Sequence, residues 1–202
     1  MNLAELITSF RAQGFDYLTD AECTTLLNDS YLIDVCESED WSFLEEVKEG
    51  KAPLEITDLR SIESVIDATQ MVKLIPLDRR ALTDEYDTDL STPGSPAFYY
   101  LSKEKTVSVF PTSTADTLSV RYWKAPEALS GEMTPLLPSR FHSLIVDGAK
   151  ARGYENSDDW ELATNARETF LVRLARMVES LMGQIRDRPP ELIVWADSGT
   201  DA

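Results

Sequence analysis

The stretch from Pro96 to Ala125, PAFYYLSKEKTVSVFPTSTADTLSVRYWKA, constrains the fold more than any other part of the chain. Three strand-like runs, Phe98 to Leu101, Thr106 to Phe110 and Thr117 to Trp123, are separated by polar turns at Ser102 to Lys105 and Thr112 to Asp116. In the second run Val107 and Val109 alternate with Thr106 and Ser108. In the third, Leu118, Val120 and Tyr122 alternate with Thr117, Ser119, Arg121 and Trp123. A period of two in β-branched and aromatic residues marks a half-buried antiparallel strand. Pro111, with no N–H to give a ladder, closes the second run. The spacing predicts a three-stranded meander between helical segments, and nothing in it carries catalytic chemistry.

Upstream, Leu3, Leu6, Ile7 and Phe10 recur at helical spacing over Asn2 to Gln13, and Gly14 ends that helix. Thr19 or Asp20 caps a second helix, with Glu22 in its first turn, running to about Glu39. Trp41, Phe43 and Leu44 form an apolar knot that closes the helical layer. Glu49-Gly50-Lys51 and Pro53 read as a turn before a short strand over Leu54 to Thr57. Ile62 to Ala68 and Met71 to Leu77 read as a hairpin. Asp78 precedes a short helix over Arg79 to Asp89, with Leu82 and Tyr86 on one face. Downstream, Pro126, Gly131, Pro135 and Pro138 punctuate a surface crossing. Helical periodicity then returns at Phe141, Leu144, Ile145 and Ala149. Asn156 to Asp158 cap a long helix carrying Trp160, Ala163, Phe170, Leu171, Leu174, Met177, Val178 and Leu181, with Gly183 as its stop.

The expected class is therefore α+β: a helical bundle from the N- and C-terminal helices, with an inserted antiparallel β lobe. Residues 1–46 and 138–183 make the bundle, 47–137 the lobe and 184–202 a C-terminal arm. With 202 residues, 43% of them hydrophobic, the chain can bury one good core or two small lobes sharing one.

Thirty-six acidic against 19 basic residues give a net charge of −17. Such a chain is a poor binder of nucleic acid, which needs phosphate neutralisation, and of anionic membranes. A strongly negative wall does repel DNA and stops it sticking. Cys23 and Cys36 read as buried free thiols of a reducing compartment. The N-terminus lacks the basic and apolar regions of a signal peptide, and no apolar run is long enough for a transmembrane helix.

No motif points to an enzyme or a cofactor. His142 is the one histidine, which removes two-histidine metal sites, and it reads as a partly buried, structurally satisfied residue. There is no nucleophile elbow and no glycine-rich phosphate loop. The acidic run Asp84 to Asp89 lacks the glycine and closing glutamate of a calcium loop. That run, and Glu37, Glu39, Asp40, Glu45 and Glu46 around Trp41, read as solvated surface charge. The tail is more informative. Leu192, Ile193, Val194 and Trp195 follow Pro189-Pro190, and an apolar run of this kind is unfavourable unless it docks. It is either a last strand on its own fold or an anchor on a neighbouring subunit.

The order of these elements resembles the head-to-tail adaptor proteins of tailed bacteriophages, also called connector or head-completion proteins. Leu26-Leu27-Asn28-Asp29-Ser30-Tyr31 with Trp41-Ser42-Phe43-Leu44 resembles the family's second helix and its closure. Pro76-Leu77-Asp78-Arg79-Arg80 resembles its "LDRR" segment. Pro96 to Leu101 with Val107 to Thr112 is similar to its meander, with Phe110 where Tyr is common and Ser113 where a second proline is usual. Leu137-Pro138 before Phe141 to Ile145, and Gly148-Ala149, are similar to its third helix. The resemblance implies a structural virion protein at the head–tail junction, without catalytic activity. It implies a homo-oligomeric ring, usually of twelve copies, bound to the portal protein, with tail or nozzle proteins below and DNA passing through unbound. It also implies a C-terminal segment reaching the portal or a neighbouring copy, for which Leu192 to Trp195 are the candidates. Two other classes fit the residues: an acidic α+β binding module or nucleic-acid-mimic inhibitor unrelated to virions, and a hydrolase with a carboxylate site.

Overall fold

The computed structural model describes residues 1–85, 90–102, 105–113 and 116–186. The first helix, α1 (Leu3–Phe10), opens on a capping box. Asn2 Oδ1 accepts from the Glu5 N–H at 2.9 Å and Glu5 accepts from the Asn2 N–H at 3.0 Å, satisfying two otherwise orphaned donors. A π-helical turn, Arg11–Phe15, follows, and Gly14 takes φ +102° as the chain turns away. The second helix, α2 (Asp20–Asp29), is capped by Thr19 with Glu22 in the same reciprocal way and continues as a π-helical segment, Ser30–Cys36. It stops short of Glu39, its last carbonyls finding other donors: Trp41 Nε1 donates to Val35 O at 2.7 Å and the Arg60 guanidinium to Cys36 O, and Arg60 also donates to Glu39 O beyond the helix.

Among the described residues eight strands make two four-stranded sheets. They are β1 (Glu45–Lys51), β2 (Leu54–Glu55), β3 (Leu59–Asp67), β4 (Val72–Lys73), β5 (Ile75–Pro76), β6 (Phe98–Ser102), β7 (Thr106–Phe110) and β8 (Thr117–Lys124). The first sheet has the order β1-β8-β3-β4 and the second β2-β7-β6-β5. The three-stranded meander is thereby corrected. β6 and β7 form the expected hairpin, Tyr100 opposite Ser108, but β8 leaves for the other sheet and pairs with β1 and β3. Alternation fixes which face of a strand is buried, not which strands flank it. The redirection begins at Pro111, which cannot extend the ladder, and at Thr112, whose N–H donates to Thr92 O at 2.8 Å.

The lobe is not wholly antiparallel either: β5 and β6 run parallel, Ile75 opposite Phe98. The expected hairpin exists as β3 and β4, with Ile66 opposite Lys73. Beyond it, buried Leu74 carries the chain across to the second sheet. The region around Gly50 is no turn but the edge strand β1. The inner faces of both sheets share one core, including Val65, Leu118, Val120 and Tyr122 from the first and Tyr99, Val107 and Val109 from the second. A short helix, α3 (Arg79–Glu85), covers the other face of the second sheet, where Leu82 meets Tyr100 and Phe110. Residues 86–89, which hold Tyr86 and the end of the acidic run, and the tips of two turns, 103–104 and 114–115, lie outside the described residues.

After the sheets, a 3-10 turn (Ser139–Phe141) leads into α4 (His142–Asn156), followed by α5 (Trp160–Arg186). α5 has 27 residues, which is about 40 Å at 1.5 Å per residue. Asp159, one residue later than expected, caps it by accepting from the Leu162 N–H at 3.3 Å. Gly183 does not stop it. α1, α2, α4 and α5 contribute to a single buried cluster with Trp41 and Leu44. α4 is the centre of that packing, and two glycines let its neighbours close in. An ideal Cβ on Gly148 would lie 2.2 Å from Ser30 Oγ, and one on Gly153 2.5 Å from Phe15 Cε1. Of the residues expected inside α5, Ala163, Phe170 and Met177 are buried, but Trp160 and Leu171 are 66% and 53% exposed.

Candidate interaction surfaces

Arg60, on β3, ties the sheets to the helices: besides the two carbonyls at the end of α2, it ion-pairs with Asp40. Lys124 pairs with Glu46 at 2.9 Å, and Arg121 with Glu45 at 3.3 Å and Glu63 at 3.8 Å. Of the acidic residues around Trp41, Asp40 is therefore engaged at the junction, and Glu45 and Glu46 in pairs between β1 and β8 of the first sheet. The segment between β8 and the last two helices crosses the surface as expected, with Glu127, Ala128, Ser130 to Thr134 and Leu136 exposed, but it is anchored on the way. Asn28 bonds both the N–H and the carbonyl of Leu129, at 2.7 and 3.1 Å, while Leu129 and Leu137 are buried in the helical core. Two isolated leucines in a proline-rich run were the available signal.

Burial favours the neutral forms of His142, Cys23 and Cys36. His142 is 2% exposed. Its Nε2 lies 2.9 Å from Leu137 O, so Nε2–H donates there, and Nδ1 faces the Met1 amino group at 2.7 Å. Burial is the main cause that lowers its pKa. Burial also pushes the Cys36 thiol up to about 12 and raises that of Cys23, the opposite of an activated nucleophile. Both are free thiols. Among the described residues no group of three or more His, Cys, Asp and Glu side chains could hold a metal ion, and no helix is long and apolar enough to cross a membrane.

What remains is surface. β1 is an edge strand whose one ladder partner among the described residues is β8, and its Val47 is 50% exposed. At the opposite edge of that sheet Val72 of β4 and Met71 in the turn before it are exposed, Met71 by 82%, and Ile75 of β5 is exposed at the edge of the second sheet. On α5, Trp160, Leu162, Leu171 and Val172 face outward. Beside them, at the start of α4, Arg140, Arg173 and Arg176 line a small cavity. None of these was singled out from sequence: exposed apolar residues on a helix or an edge strand share the periodicity of core residues. The anticipated anchor, Leu192, Ile193, Val194 and Trp195, lies outside the described residues.

A model of the SU10 adaptor protein family matches residues 1–193, nearly the whole chain. The chain belongs to the SU10 adaptor protein family. It is thus a structural adaptor of a phage, as the order of its elements led us to expect, and membership implies a place at the head–tail junction of the virion, in contact with portal and tail proteins. No curated protein matches it. Surfaces that meet its partners are what such an adaptor needs.

Proposed function

We propose that this chain assembles into a ring of twelve copies that joins the portal to the tail and continues the DNA channel. The family match over residues 1–193 carries the reading. The net charge of −17 supports it, because an acidic wall lets DNA slide past without holding it. In this reading residues 1–46 and 138–183 form the body of the ring, with α5 carrying it on to Arg186, residues 47–137 are offered to tail or nozzle proteins, and 187–202 form an arm. Leu192, Ile193, Val194 and Trp195 anchor that arm on the portal or on a neighbouring copy. Like-charged copies repel one another at low salt, so free protein is monomeric and the ring forms on the portal. The chain acts by binding alone, with no catalytic step and no cofactor.

Electron microscopy tests this directly. The purified chain is mixed with the portal protein of its own phage, and ring-shaped density is expected on the portal. Portals that stay bare at saturating protein overturn the proposal. Sedimentation of the chain alone as a stable ring would contradict assembly on a template.

A further inference from the structure

The start of α4 and the middle of α5 enclose a cavity of about 250 Å³, lined by Arg140, Phe141, Ser143, Leu144, Arg173 and Arg176. Three guanidinium groups share one small space in a chain with 36 acidic and 19 basic residues. Among the described residues one of the three has a carboxylate partner: Arg173 ion-pairs with Asp147. Arg140 lies over the Phe141 ring, 4.8 Å from its centroid, and donates to Ser180 Oγ at 3.1 Å. Neither contact neutralises it. Arg176 is exposed, three residues beyond Arg173, where like charges on a helix repel. The floor is apolar: Leu144 is 2% exposed and Phe141 half-buried. A ligand that satisfies both rim and floor brings carboxylates and apolar side chains together. A DNA phosphate satisfies the rim alone, and the acidic subunit repels it.

We propose that this pocket receives the chain's own segment 187–202. That segment carries Asp187, Glu191, Asp197 and Asp201 against a single Arg188, set around Leu192, Ile193, Val194 and Trp195. Its charge complements the rim and its apolar run the floor. Distance is no obstacle. α5 ends at Arg186, and Ser180, already in contact with Arg140, stands only ~9 Å before that end at 1.5 Å per residue. From Arg186 an extended chain reaches Trp195 across about 30 Å. Docking within one chain also has an effective concentration on the order of millimolar. A free copy thereby covers its own apolar run. Its release onto the portal or a neighbour during assembly rests on the adaptor reading above; the docking itself does not.

Hydrogen exchange on the full-length chain, without portal, tests the docking. Amides of residues 191–198 are expected to exchange about tenfold or more slower than an unstructured peptide, equally at low and high protein concentration. Arg140→Glu with Arg176→Glu should abolish the protection while α4 and α5 stay protected, since the Arg173–Asp147 pair is untouched. Asp197→Arg with Asp201→Arg should abolish it from the other side, and the four substitutions together should restore it. Unprotected amides in the natural chain overturn the proposal, as does protection that survives both pairs of substitutions. Protection that appears only as concentration rises overturns it in favour of a second copy. Any of these failures leaves the portal-binding result as it stands.

Discussion

Around Trp41 the helical core is pinned by directional polar bonds, while around Val120 the sheet core has almost none. In the helical half Ser30 Oγ donates to Ile145 O at 2.8 Å, Trp41 Nε1 to Val35 O at 2.7 Å and His142 Nε2 to Leu137 O at 2.9 Å. Asp34, 9% exposed, receives Arg152 at 2.6 and 3.0 Å and Arg167 at 3.2 Å, joining the end of α2 to both α4 and α5. In the sheet half Asp67 is the one buried charge among the described residues, spent on its own turn through the Thr69 and Gln70 N–H groups. The difference follows from how each half fixes its register. Helices distant in sequence meet through side chains alone, so they can slide unless polar contacts lock them. Strands are aligned by the backbone ladder itself. The sheet half can therefore leave Val47, Met71, Val72, Ile75 and Leu101 exposed without losing its alignment.

The largest effect should come from breaking the helical side. Trp41 is 1% exposed and closes the cluster shared by all four long helices; Trp41→Ala is expected to cost about 3–5 kcal/mol, measured by urea unfolding. Asp34→Ala leaves two guanidinium groups facing an empty position, and an expected loss of about 3 kcal/mol places it second. Arg152, whose pKa the Asp34 hydrogen bond raises, is the partner that most depends on it; a double-mutant cycle with Arg152→Met should show strong coupling. Additive losses would mean that the cluster does not act as a lock. On the sheet side Tyr122 donates to Asp58 at 3.1 Å, and Tyr122→Phe should cost only about 1 kcal/mol. A cost equal to that of Asp34→Ala would remove the contrast between the halves.

The same contrast explains what could be read in the sequence. The helices were legible because their stripes are long: Leu3, Leu6 and Phe10, or Ala163, Phe170 and Met177, point one way in sequence and are buried together. The inward residues of β7 and β8 were legible for the same reason, as Val107, Val109, Leu118, Val120 and Tyr122 are all buried. The partners of β8 were not, because β1 lies more than sixty residues upstream and carries Glu45, Glu46, Lys48, Glu49 and Lys51, the charges that keep an edge strand from aggregating and that disguise it as a loop. The cationic pocket was illegible because Arg140 and Arg173 are brought together by the α4–α5 packing, and no spacing along the chain encodes that. Trp160 and Leu171 misled because an outward apolar residue one turn from an inward one obeys the same helical period.

Acid should separate the two halves by the smallest margin and in a defined direction. His142 sits in the helical core between Leu137 O and the Met1 amino group, with Glu5 as the nearby acid, and burial holds its folded pKa below the usual 6.5. As the pH falls, the unfolded chain therefore takes up a proton on this ring before the folded one does. The histidine's contribution to stability is complete above pH 6.5 and is lost as the pH falls through the depressed folded value. The sheet half contains no histidine, so this loss belongs to the helices alone. Urea midpoints for the natural chain and for His142→Gln, followed from neutral pH down to about 5, where most carboxylates are still ionised, isolate it. The natural chain should lose stability faster, and helical amides should exchange faster before those of β8. Parallel slopes for the two proteins would show that the buried imidazole is protonated without penalty, and that the polar pins of the helical core are not, after all, sealed from water.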